Sequence, residues 1–327
     1  MAKRIEFSNY GEPDVLNYVD FSPARPKPNE VLIQNKAIGV NYIDTYYRTG
    51  LYPASQLPSS LGSEAAEIVA EVGSEVTDFQ VGDRVAYAQA SLGAYSEYHH
   101  IDAEKVVKLP DDISFEQAAA CLMKGLTVYY LLHMTYQVKP GETILFHAAA
   151  GGVGLIACQW AKALGVNLIG TVGSEEKAQQ AKKAGAWATI NYREQNIVEQ
   201  VLELTQGKKV NVVYDSVGKD TWEASLDSLA IRGLMVSFGN ASGPVTGVDI
   251  GILNKKGCLY VTRPSIFGYI TSKAILEKAA NELFSLISRG AIQINIREEQ
   301  IFRLADAKQA HSLLESRKTQ GSSILIP

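Results

Sequence analysis

Short runs of apolar residues, or of alternating apolar and polar residues, dominate the first third of the chain and are separated by turns. Apolar or alternating runs are followed by glycine and proline turns, a pattern typical of β-strands joined by tight connections. These runs lie at 31–34, 66–72 and 84–87. The first third is therefore predicted to be β-rich.

A different pattern begins at Ser114, which has Gln117 three residues later in the spacing of a helix capping box. This spacing predicts a helix over 115–121, and beyond it apolar strand-like segments alternate with helix-like segments. The predicted strands are Thr143–His147, Asn167–Val172, Thr189–Asn191, Val210–Asp215, Leu234–Phe238 and Cys258–Thr262, with helices beginning near Gly152, Ser174, Glu194 and Asp220. The alternation predicts an α/β fold built on a doubly wound parallel sheet.

The last part of the chain does not continue this alternation. A long helix is predicted over 270–288, and short strands are predicted at 292–296, 300–302 and 323–326. Because these strands do not extend the alternating region, we expect them to return to the β-rich part formed by the first third of the chain.

A glycine-containing turn, His147–Gly154, follows the first strand of the alternating region and precedes a helix. In that context the helix N-terminus offers unpaired N–H groups and a partial positive charge to a pyrophosphate. Gly151 lets the backbone pass close to the phosphates and Gly154 lets helix and strand pack tightly, although Ala149 replaces the first glycine of G-x-G-x-x-G. The predicted contacts are Ala150, Gly151, Gly152, Val153 and Gly154; the alternative is a tight turn without a ligand.

The end of the second predicted strand indicates which dinucleotide is favoured. An acidic residue about 20 residues beyond the glycine turn would bind an unmodified ribose. Those positions hold Gly173 and Ser174, followed by Lys177. The serine hydroxyl can hydrogen-bond a 2′-phosphate, the lysine can neutralise its charge, and no carboxylate at the strand end repels it. These positions therefore favour NADPH over NADH. The adjacent Glu175 and Glu176 weaken this prediction, and the alternative is that Lys177 is an ordinary solvated lysine.

Composition narrows the classes of protein. A length of 327 residues allows two domains with cores, and a net charge of −4 gives no reason to expect nucleic acid or an anionic membrane as a partner. No window holds the ~18 consecutive apolar residues of a membrane span. Three scattered cysteines argue against a disulfide framework, so a reducing, cytoplasmic location is expected.

These motifs resemble those of the quinone oxidoreductase/ζ-crystallin branch of the medium-chain dehydrogenase/reductase superfamily, and the resemblance runs almost end to end. It looks closest to the bacterial NADPH:quinone reductases. The residues that carry it are Gly39–Asp44, Tyr46–Tyr52, Gly62–Ala66, Val81–Val85, the Ala148-x-x-Gly151-x-x-Gly154 turn within 140–162, and Tyr214–Gly218.

The resemblance implies two domains and a dimer. A GroES-like β-rich catalytic domain, expected over 1–123 and 263–327, would surround a Rossmann NADPH-binding domain expected over 124–262, with the active site in the cleft between them. The resemblance also implies a homodimer joined through the last Rossmann strand. Residues Cys258–Thr262 are apolar and β-prone, as a pairing edge requires.

Zinc is expected to be absent. In zinc-dependent relatives the catalytic metal takes a cysteine, a histidine and a second cysteine, where this sequence has Asn41, Ser63 and Lys124. The lobe with four closely spaced cysteines is also missing. Without a Lewis acid to hold an alkoxide, the reaction must suit an acceptor that takes hydride readily. A quinone does so, because its developing negative charge spreads over a ring that becomes aromatic.

Four residues are candidates for work on the substrate. The Asn41 amide is expected to orient the nicotinamide ribose or a substrate carbonyl, or alternatively to cap local backbone. Tyr46 and Tyr52 are expected to donate to a quinone oxygen, with a core role as the alternative. The Lys124 ammonium is expected to steady negative charge, with a solvated lysine as the alternative.

Further cofactor contacts are expected from the later strands and from the C-terminal part. The resemblance implies Thr127 near the nicotinamide and Arg317 on a phosphate, although a surface arginine is equally compatible with Arg317. Tyr192 is expected at the adenosine 2′-phosphate, whereas His147 is interpreted as a strand-end histidine. Strand ends contribute Ser216, Val217, Phe238, Gly239 and Asn240.

Two other functions are compatible with these residues. One is an NADPH-dependent enone or enoyl-thioester reductase, in which a tyrosine would give the proton to the α-carbon. The other is an NADPH-binding protein with an RNA-binding or structural role, which the acidic composition and the lack of a clustered basic-aromatic segment disfavour.

Overall fold

The computed structural model describes residues 1–89 and 91–327 and divides them into two compact units. The first unit is Met1–Leu126 with Thr271–Pro327, and the second is Thr127–Ile270. The sequence-based boundaries lie at 123/124 and 262/263, so the second unit begins three residues later and ends eight residues later than expected. It ends later because Tyr269 stacks on Tyr130 within this unit, with ring centroids 5.0 Å apart.

The N-terminal segment is β-rich, as predicted. Its strands are β1 (Ala2–Phe7), β2 (Asn17–Phe21), β3 (Glu30–Val40), β4 (Ser59–Ser60), β5 (Ala65–Val72), β6 (Arg84–Tyr87), β7 (Tyr98–Asp102) and β8 (Val106–Lys108). Its helices are α1 (Tyr42–Thr49) and α2 (Phe115–Tyr129). The Ser114–Gln117 capping box is present, since each residue's side chain accepts from the backbone N–H of the other. Helix α2 runs eight residues beyond its predicted end and continues as a π-helical turn over Tyr130–Thr135.

The second unit alternates strands with helices. Its strands are β9 (Thr143–Phe146), β10 (Asn167–Val172), β11 (Ala188–Asn191), β12 (Val210–Asp215), β13 (Leu229–Ser237) and β14 (Tyr260–Thr262). Its helices are α3 (Gly152–Ala163), α4 (Glu175–Lys183), α5 (Ile197–Leu204), α6 (Trp222–Asp227), α7 (Gly251–Lys255) and α8 (Ile266–Tyr269). Strand β14 starts two residues later than predicted, because Cys258 has a left-handed backbone (φ 55°) that a strand excludes.

The strands of the second unit form one parallel sheet in the order β11–β10–β9–β12–β13–β14. This confirms the doubly wound fold. The chain reverses direction across the sheet between β9 and β12, and at such a switch point ligands bind beyond the carboxyl ends of the strands. Apolar side chains of the central strands, such as Leu145, Ile169 and Val213, form the core with Leu226 of α6.

The C-terminal segment returns to the first unit. It contains α9 (Lys273–Ser288), β15 (Ile301–Arg303), α10 (Ala307–Glu315) and β16 (Ser323–Ile326). Strand β16 pairs with β3 and β15 pairs with β16, so the predicted return is confirmed. The predicted strand at 292–296 is wrong: Ile292 is buried, but its N–H donates to the Leu286 carbonyl at the end of α9. Apolar and polar residues alternate over 292–296 because one side of this segment faces the protein interior, and a loop can be buried on one side just as a strand can.

Two sheets and one apolar core organise the described part of the first unit. The larger sheet has the order β15–β16–β3–β5–β6–β8, with β7 also paired to β3, and the smaller has the order β2–β1–β4. Residues of both sheets share the core, for example Ile5 and Phe7 of β1 with Ile33 and Ile38 of β3. None of the described helices combines the length and apolar character needed to cross a membrane.

Candidate active site

The glycine turn after β9 is built by close packing. Gly151 caps the N-terminus of α3 with an extended backbone. A Cβ added at Gly154 would lie 2.4 Å from the Ala148 carbonyl oxygen and 2.6 Å from the Ala149 Cα, so only glycine allows helix and turn to meet. Gly154 therefore has the packing role that the sequence predicts for it.

The missing first glycine is compensated from the neighbouring strand. Ala149 is buried, and a Cβ added at Gly170 of β10 would lie 2.5 Å from the Ala149 Cβ. Gly170 thus provides the space that the methyl group of Ala149 occupies. The left-handed residue of the turn is Ala148 (φ 56°), a conformation that costs an alanine about 1–2 kcal/mol and so needs support from its surroundings.

The residues predicted at the 2′-phosphate lie at the ends of β10 and β11. The Ser174 hydroxyl accepts from the Lys177 backbone N–H at 3.3 Å and caps α4. Gly173 lies against Tyr192, since an added Cβ would be 2.6 Å from the tyrosine oxygen. The Tyr192 side chain is 45% exposed, and Lys177 is half-buried in the first turn of α4. The structure therefore brings these four residues to one corner of the sheet edge.

The predicted residues after β12 and β13 are also brought together. A Cβ added at Gly239 would lie 2.4 Å from the Ser216 carbonyl oxygen, and the Ser242 N–H donates to the Val217 carbonyl at 2.8 Å. Phe238, the remaining hydrophobic candidate, packs on Phe146 at the end of β9 with ring centroids 5.7 Å apart.

Arg263, which sequence reasoning missed, holds the loop after β13. Its Nη1 donates to the carbonyls of Ser237 (2.9 Å) and Gly239 (3.0 Å). With the Asn240 amide in the orientation that satisfies both its ends, Asn240 accepts from Arg263 Nη2 and donates to Gly239. Sequence alone gives no signal for Arg263, because it follows the last strand and reaches back 24 and 26 residues to the carbonyls it binds.

In the first unit, Asn41 and Lys124 meet at a buried acid. Asn41 Nδ2 donates to Glu64 Oε2 at 2.7 Å, and Lys124 Nζ lies 3.4 Å from the same oxygen. Glu64 Oε1 accepts from the Met123 backbone N–H at 2.6 Å. All these groups are buried, and the acid fits only because residue 39 is glycine: a Cβ there would lie 2.3 Å from Glu64 Oε2. Glu64 was quoted in a family motif but was not predicted as a site residue.

Tyr46 and Tyr52 form an aromatic pair at the C-terminal end of α1. Their ring centroids are 5.3 Å apart in an edge-on arrangement, and the Tyr52 N–H donates to the Tyr46 carbonyl at 3.0 Å. Tyr47 also contacts Tyr52 edge-on, at 5.9 Å. The structure therefore places the two predicted hydroxyl donors side by side.

A second buried network of hydrogen bonds starts from Asp44, the third residue of α1, which forms a capping box with the N-cap residue Asn41. Asp44 Oδ2 accepts from the Asn41 backbone N–H at 2.8 Å and from the Tyr95 hydroxyl at 3.1 Å. His311 Nε2 lies 3.0 Å from the Tyr95 oxygen, and His311 Nδ1 lies 3.1 Å from Arg48 Nη1. Because the guanidinium only donates, Nδ1 accepts and Nε2–H donates to Tyr95. None of these partners was predicted.

The pKa values of Asp44 and His311 in this hydrogen-bond network follow mainly from their burial. Desolvation raises the pKa of Asp44 to about 7, against the opposing effect of its hydrogen bonds. Desolvation and the adjacent Arg48 charge lower the pKa of His311 to about 3. Arg48 is itself buried and forms a two-pronged ion pair with Glu315, at 2.8 and 2.7 Å.

Thr127 and Arg317 stay predictions as cofactor contacts. Thr127 lies in α2 and is the first residue of the second unit. Arg317 lies in the exposed turn after α10, with a left-handed backbone (φ 61°). Burial raises the pKa of the Tyr42 hydroxyl, and the charge of Arg317 opposes that shift.

Asn41, Ser63 and Lys124, the residues expected from the resemblance to replace metal ligands, are all buried. Two of them bind Glu64, as described above. Within residues 1–89 and 91–327, no group of three or more histidine, cysteine, aspartate or glutamate side chains is arranged to hold a metal ion.

Known proteins are similar to this chain over its full length. Quinone oxidoreductase of Salmonella typhimurium is 65% identical over 327 residues, 100% of both chains. The crystal structure of Escherichia coli quinone oxidoreductase complexed with NADPH has the same identity, covers 100% of both chains and gives a TM-score of 0.99. A 2-haloacrylate reductase of a Burkholderia species is 42% identical and covers 97% of this chain and 96% of its own.

Two family models match parts of the chain. The alcohol dehydrogenase GroES-like domain matches residues 27–111, and the zinc-binding dehydrogenase model matches residues 152–289. The fold and these matches define a medium-chain dehydrogenase/reductase. Within that class, the full-length identities show that the chain belongs to the quinone oxidoreductase family, which confirms the resemblance seen in the sequence.

Proposed function

We propose that this chain is an NADPH-dependent quinone reductase. The observation that carries the proposal is the turn after β9. Gly154 of α3 and Gly170 of β10 allow the helix and the strand to pack closely against this turn, at the N-terminus of α3. The E. coli relative, 65% identical over the whole chain, is a quinone oxidoreductase whose structure contains NADPH. When bound, NADPH supplies the hydride, which with one proton from water converts a quinone to its hydroquinone.

The second unit supplies the dinucleotide contacts in this proposal. Backbone N–H groups of Ala150, Gly152, Val153 and Gly154 at the N-terminus of α3 face the pyrophosphate. The Gly151 N–H donates to the Ala148 carbonyl at 3.0 Å, so Gly151 contributes by letting the backbone pass close to the phosphates. Ser174, Lys177 and Tyr192 hold the 2′-phosphate, because a hydroxyl and an ammonium lie there and the strand end has no carboxylate. The residues after β12 and β13 (Ser216, Val217, Phe238, Gly239 and Asn240) line the crevice at the switch point, with Thr127 as a further contact. Arg317, which belongs to the first unit, is the remaining candidate for a phosphate contact.

The first unit supplies the substrate contacts. Glu64 binds the amide nitrogen of Asn41 and so fixes the orientation of the amide, which orients the nicotinamide ribose or a substrate carbonyl. Lys124 keeps its ammonium beside Glu64 and steadies negative charge on the acceptor. Tyr46 and Tyr52 donate hydrogen bonds to the forming phenolate.

We also propose a homodimer joined through the edge strand β14. Among the described strands, β14 lies at the end of the sheet order beside β13, and its Tyr260 is 60% exposed. An exposed apolar edge strand is suited to pairing with a second copy.

The experiment that tests the proposed activity is anaerobic oxidation of NADPH by metal-stripped protein, followed with an ortho-quinone and, separately, with an α,β-unsaturated ketone and 2-haloacrylate. Turnover of the quinone alone is the expected result. The second candidate function, reduction of an activated carbon–carbon double bond, is favoured by the 42% identity to 2-haloacrylate reductase. Activity confined to the unsaturated acceptors would replace the first proposal with the second.

A further inference from the structure

A buried chain of hydrogen bonds runs beneath the glycine turn and joins it to the loop after β12. The Ala148 N–H donates to Thr171 Oγ1 at 3.3 Å, and Thr171 Oγ1 lies 3.0 Å from His147 Nδ1. His147 Nε2 lies 3.0 Å from Ser225 Oγ, and the Ser225 hydroxyl donates to Asp215 Oδ2 at 2.7 Å. The four side chains are at most 1% exposed.

Each hydrogen bond in this chain has one possible direction. The Asp215 carboxylate only accepts, so the Ser225 hydroxyl donates to it and its oxygen accepts from His147 Nε2–H. Nδ1 of this neutral imidazole is then an acceptor for the Thr171 hydroxyl, whose oxygen accepts from Ala148. Burial lowers the pKa of His147 against the opposing charge of Asp215, which favours the neutral imidazole that these hydrogen bonds require.

The ends of the chain are the two loops that flank the switch point of the sheet. At one end is Ala148, the left-handed residue of the phosphate-binding turn. At the other end, Asp215 Oδ1 accepts from the N–H groups of Val217 (2.7 Å) and Gly218 (3.0 Å). The hydrogen bonds therefore tie the two loops to one another across β9 and β12.

We infer that Thr171, His147 and Ser225 are positioning residues for the dinucleotide. They fix the phosphate-binding turn relative to the loop at 216–218 and so set the affinity for the pyrophosphate, the part that NADPH and NADH share. This inference rests on the proposed function, because it assumes that the turn binds a dinucleotide. In this inference His147 acts on dinucleotide binding through its buried hydrogen bonds to Thr171 and Ser225, and it does not contact the substrate.

The test compares Ser225→Ala with Ser228→Ala. Both serines are fully buried in the second unit, but the Ser228 hydroxyl donates to the Ala224 carbonyl, within its own helix turn. We expect Ser225→Ala to raise the dissociation constants of NADPH and NADH by the same factor, about tenfold, or 1.4 kcal/mol. Ser228→Ala should change neither by more than about twofold, at a similar midpoint of thermal unfolding. Equal dissociation constants for the two variants would overturn the inference.

A second pair of variants covers the case in which Ser225→Ala does not fold. Thr171→Val removes the hydroxyl at nearly constant volume, whereas Thr171→Ser keeps it. Weakened binding of both dinucleotides by the valine variant, with recovery in the serine variant, is expected. The inference is wrong if the valine variant binds both as tightly as the serine variant.

Titration of the unaltered protein with NADPH comes first and separates the two proposals. If the unaltered protein does not bind NADPH, the proposed function fails. If it binds NADPH but both comparisons show no difference, the proposed function stands and the inference about the buried chain fails alone.

Discussion

At the residue scale, Asp44 shows how burial and hydrogen bonding oppose each other on a single carboxyl group. Two donors, the Asn41 N–H and the Tyr95 hydroxyl, stabilise the charged form, yet full burial dominates and raises the pKa of Asp44 to about 7. The spacing of Asn41 and Asp44 is visible in the sequence as that of a helix cap. Tyr95 and His311 are not, because they lie 51 and 216 residues from the groups they bind.

The raised pKa of Asp44 predicts how stability changes with pH. An unfolded aspartate has a pKa of about 3.9, so between pH 4 and 7 the folded protein binds more protons at this site than the unfolded chain. The contribution of Asp44 to the free energy of unfolding therefore falls as the pH rises through this window. Asp44→Asn cannot titrate but keeps an oxygen to accept both hydrogen bonds.

We expect the stability of the unaltered protein minus that of Asp44→Asn, measured by urea unfolding, to decrease by about 2.5 kcal/mol from pH 5 to pH 8. Groups common to both proteins, such as His311, cancel in this difference. Asp14→Asn, at an exposed carboxyl, is the control and should give a flat difference. A flat difference for Asp44→Asn as well would contradict the prediction.

Lys177 is the residue on which the choice of dinucleotide depends. We expect Lys177→Ala to raise the KM for NADPH at least tenfold more than the KM for NADH, because only NADPH carries the 2′-phosphate that the ammonium would bind. Steady-state kinetics with both dinucleotides measure this. Lys183→Ala, an exposed lysine in the last turn of the same helix, should affect neither. Equal effects of Lys177→Ala on both KM values would remove it from the 2′-phosphate site.

At the scale of elements, the glycine turn shows how a strand and a loop adapt to each other. The departure at Ala149 is visible in the sequence, but its compensation by Gly170 is not. The two residues meet only because β9 and β10 pair in parallel. Glycine inside a strand is unfavourable in isolation, so its presence in β10 is explained by this contact.

A double-variant experiment tests this contact. Gly170→Ala should destabilise the protein by about 1–3 kcal/mol and weaken NADPH binding, because the new methyl group would overlap that of Ala149. Adding Ala149→Gly removes the overlap and should restore most of both losses. Chemical unfolding and NADPH titration measure the four proteins of the cycle.

The control for that cycle is Gly268→Ala, at a site where an added Cβ meets only Ser265 Oγ at 3.8 Å. It should change stability by no more than about 0.5 kcal/mol. If the losses caused by Gly170→Ala and by Ala149→Gly simply add, the two residues do not compensate each other.

At the scale of the whole molecule, the proposed dimer depends on the edge strand β14. Tyr260→Lys replaces an exposed aromatic side chain on this strand with a charge, which disfavours edge-to-edge pairing. We expect it to weaken the dimer at least tenfold in sedimentation equilibrium. Ile301→Lys, on the edge strand β15 of the first unit, is a matched change at a 43% exposed side chain and should leave the dimer intact.

Two results would contradict this prediction. A monomeric unaltered protein at micromolar concentration would reject the homodimer. A dimer weakened equally by both variants, or by neither, would show that β14 is not the contact.

The sequence by itself determined the features that depend on neighbours along the chain. The spacing of apolar residues and the positions of the glycine and proline turns identify the β-rich first third, the alternating second unit and the return of residues 323–326 to the first unit. Each of these features reflects local geometry and which side of an element is buried. The turn at 147–154 is equally local: its strand, glycines and helix are contiguous. The same locality explains the wrong strand at 292–296, where alternating burial occurs in a segment that is not a strand.

Only the tertiary structure decided which distant residues share a site. Glu64 between Asn41 and Lys124, Gly170 beneath Ala149, and Asp215 linked through Ser225 to His147 all join groups on different elements. Their contacts follow from strand order and close packing, which place residues tens of positions apart within 4 Å. Burial then fixes the charge and direction of each hydrogen bond, because an unpaired polar group away from water is costly.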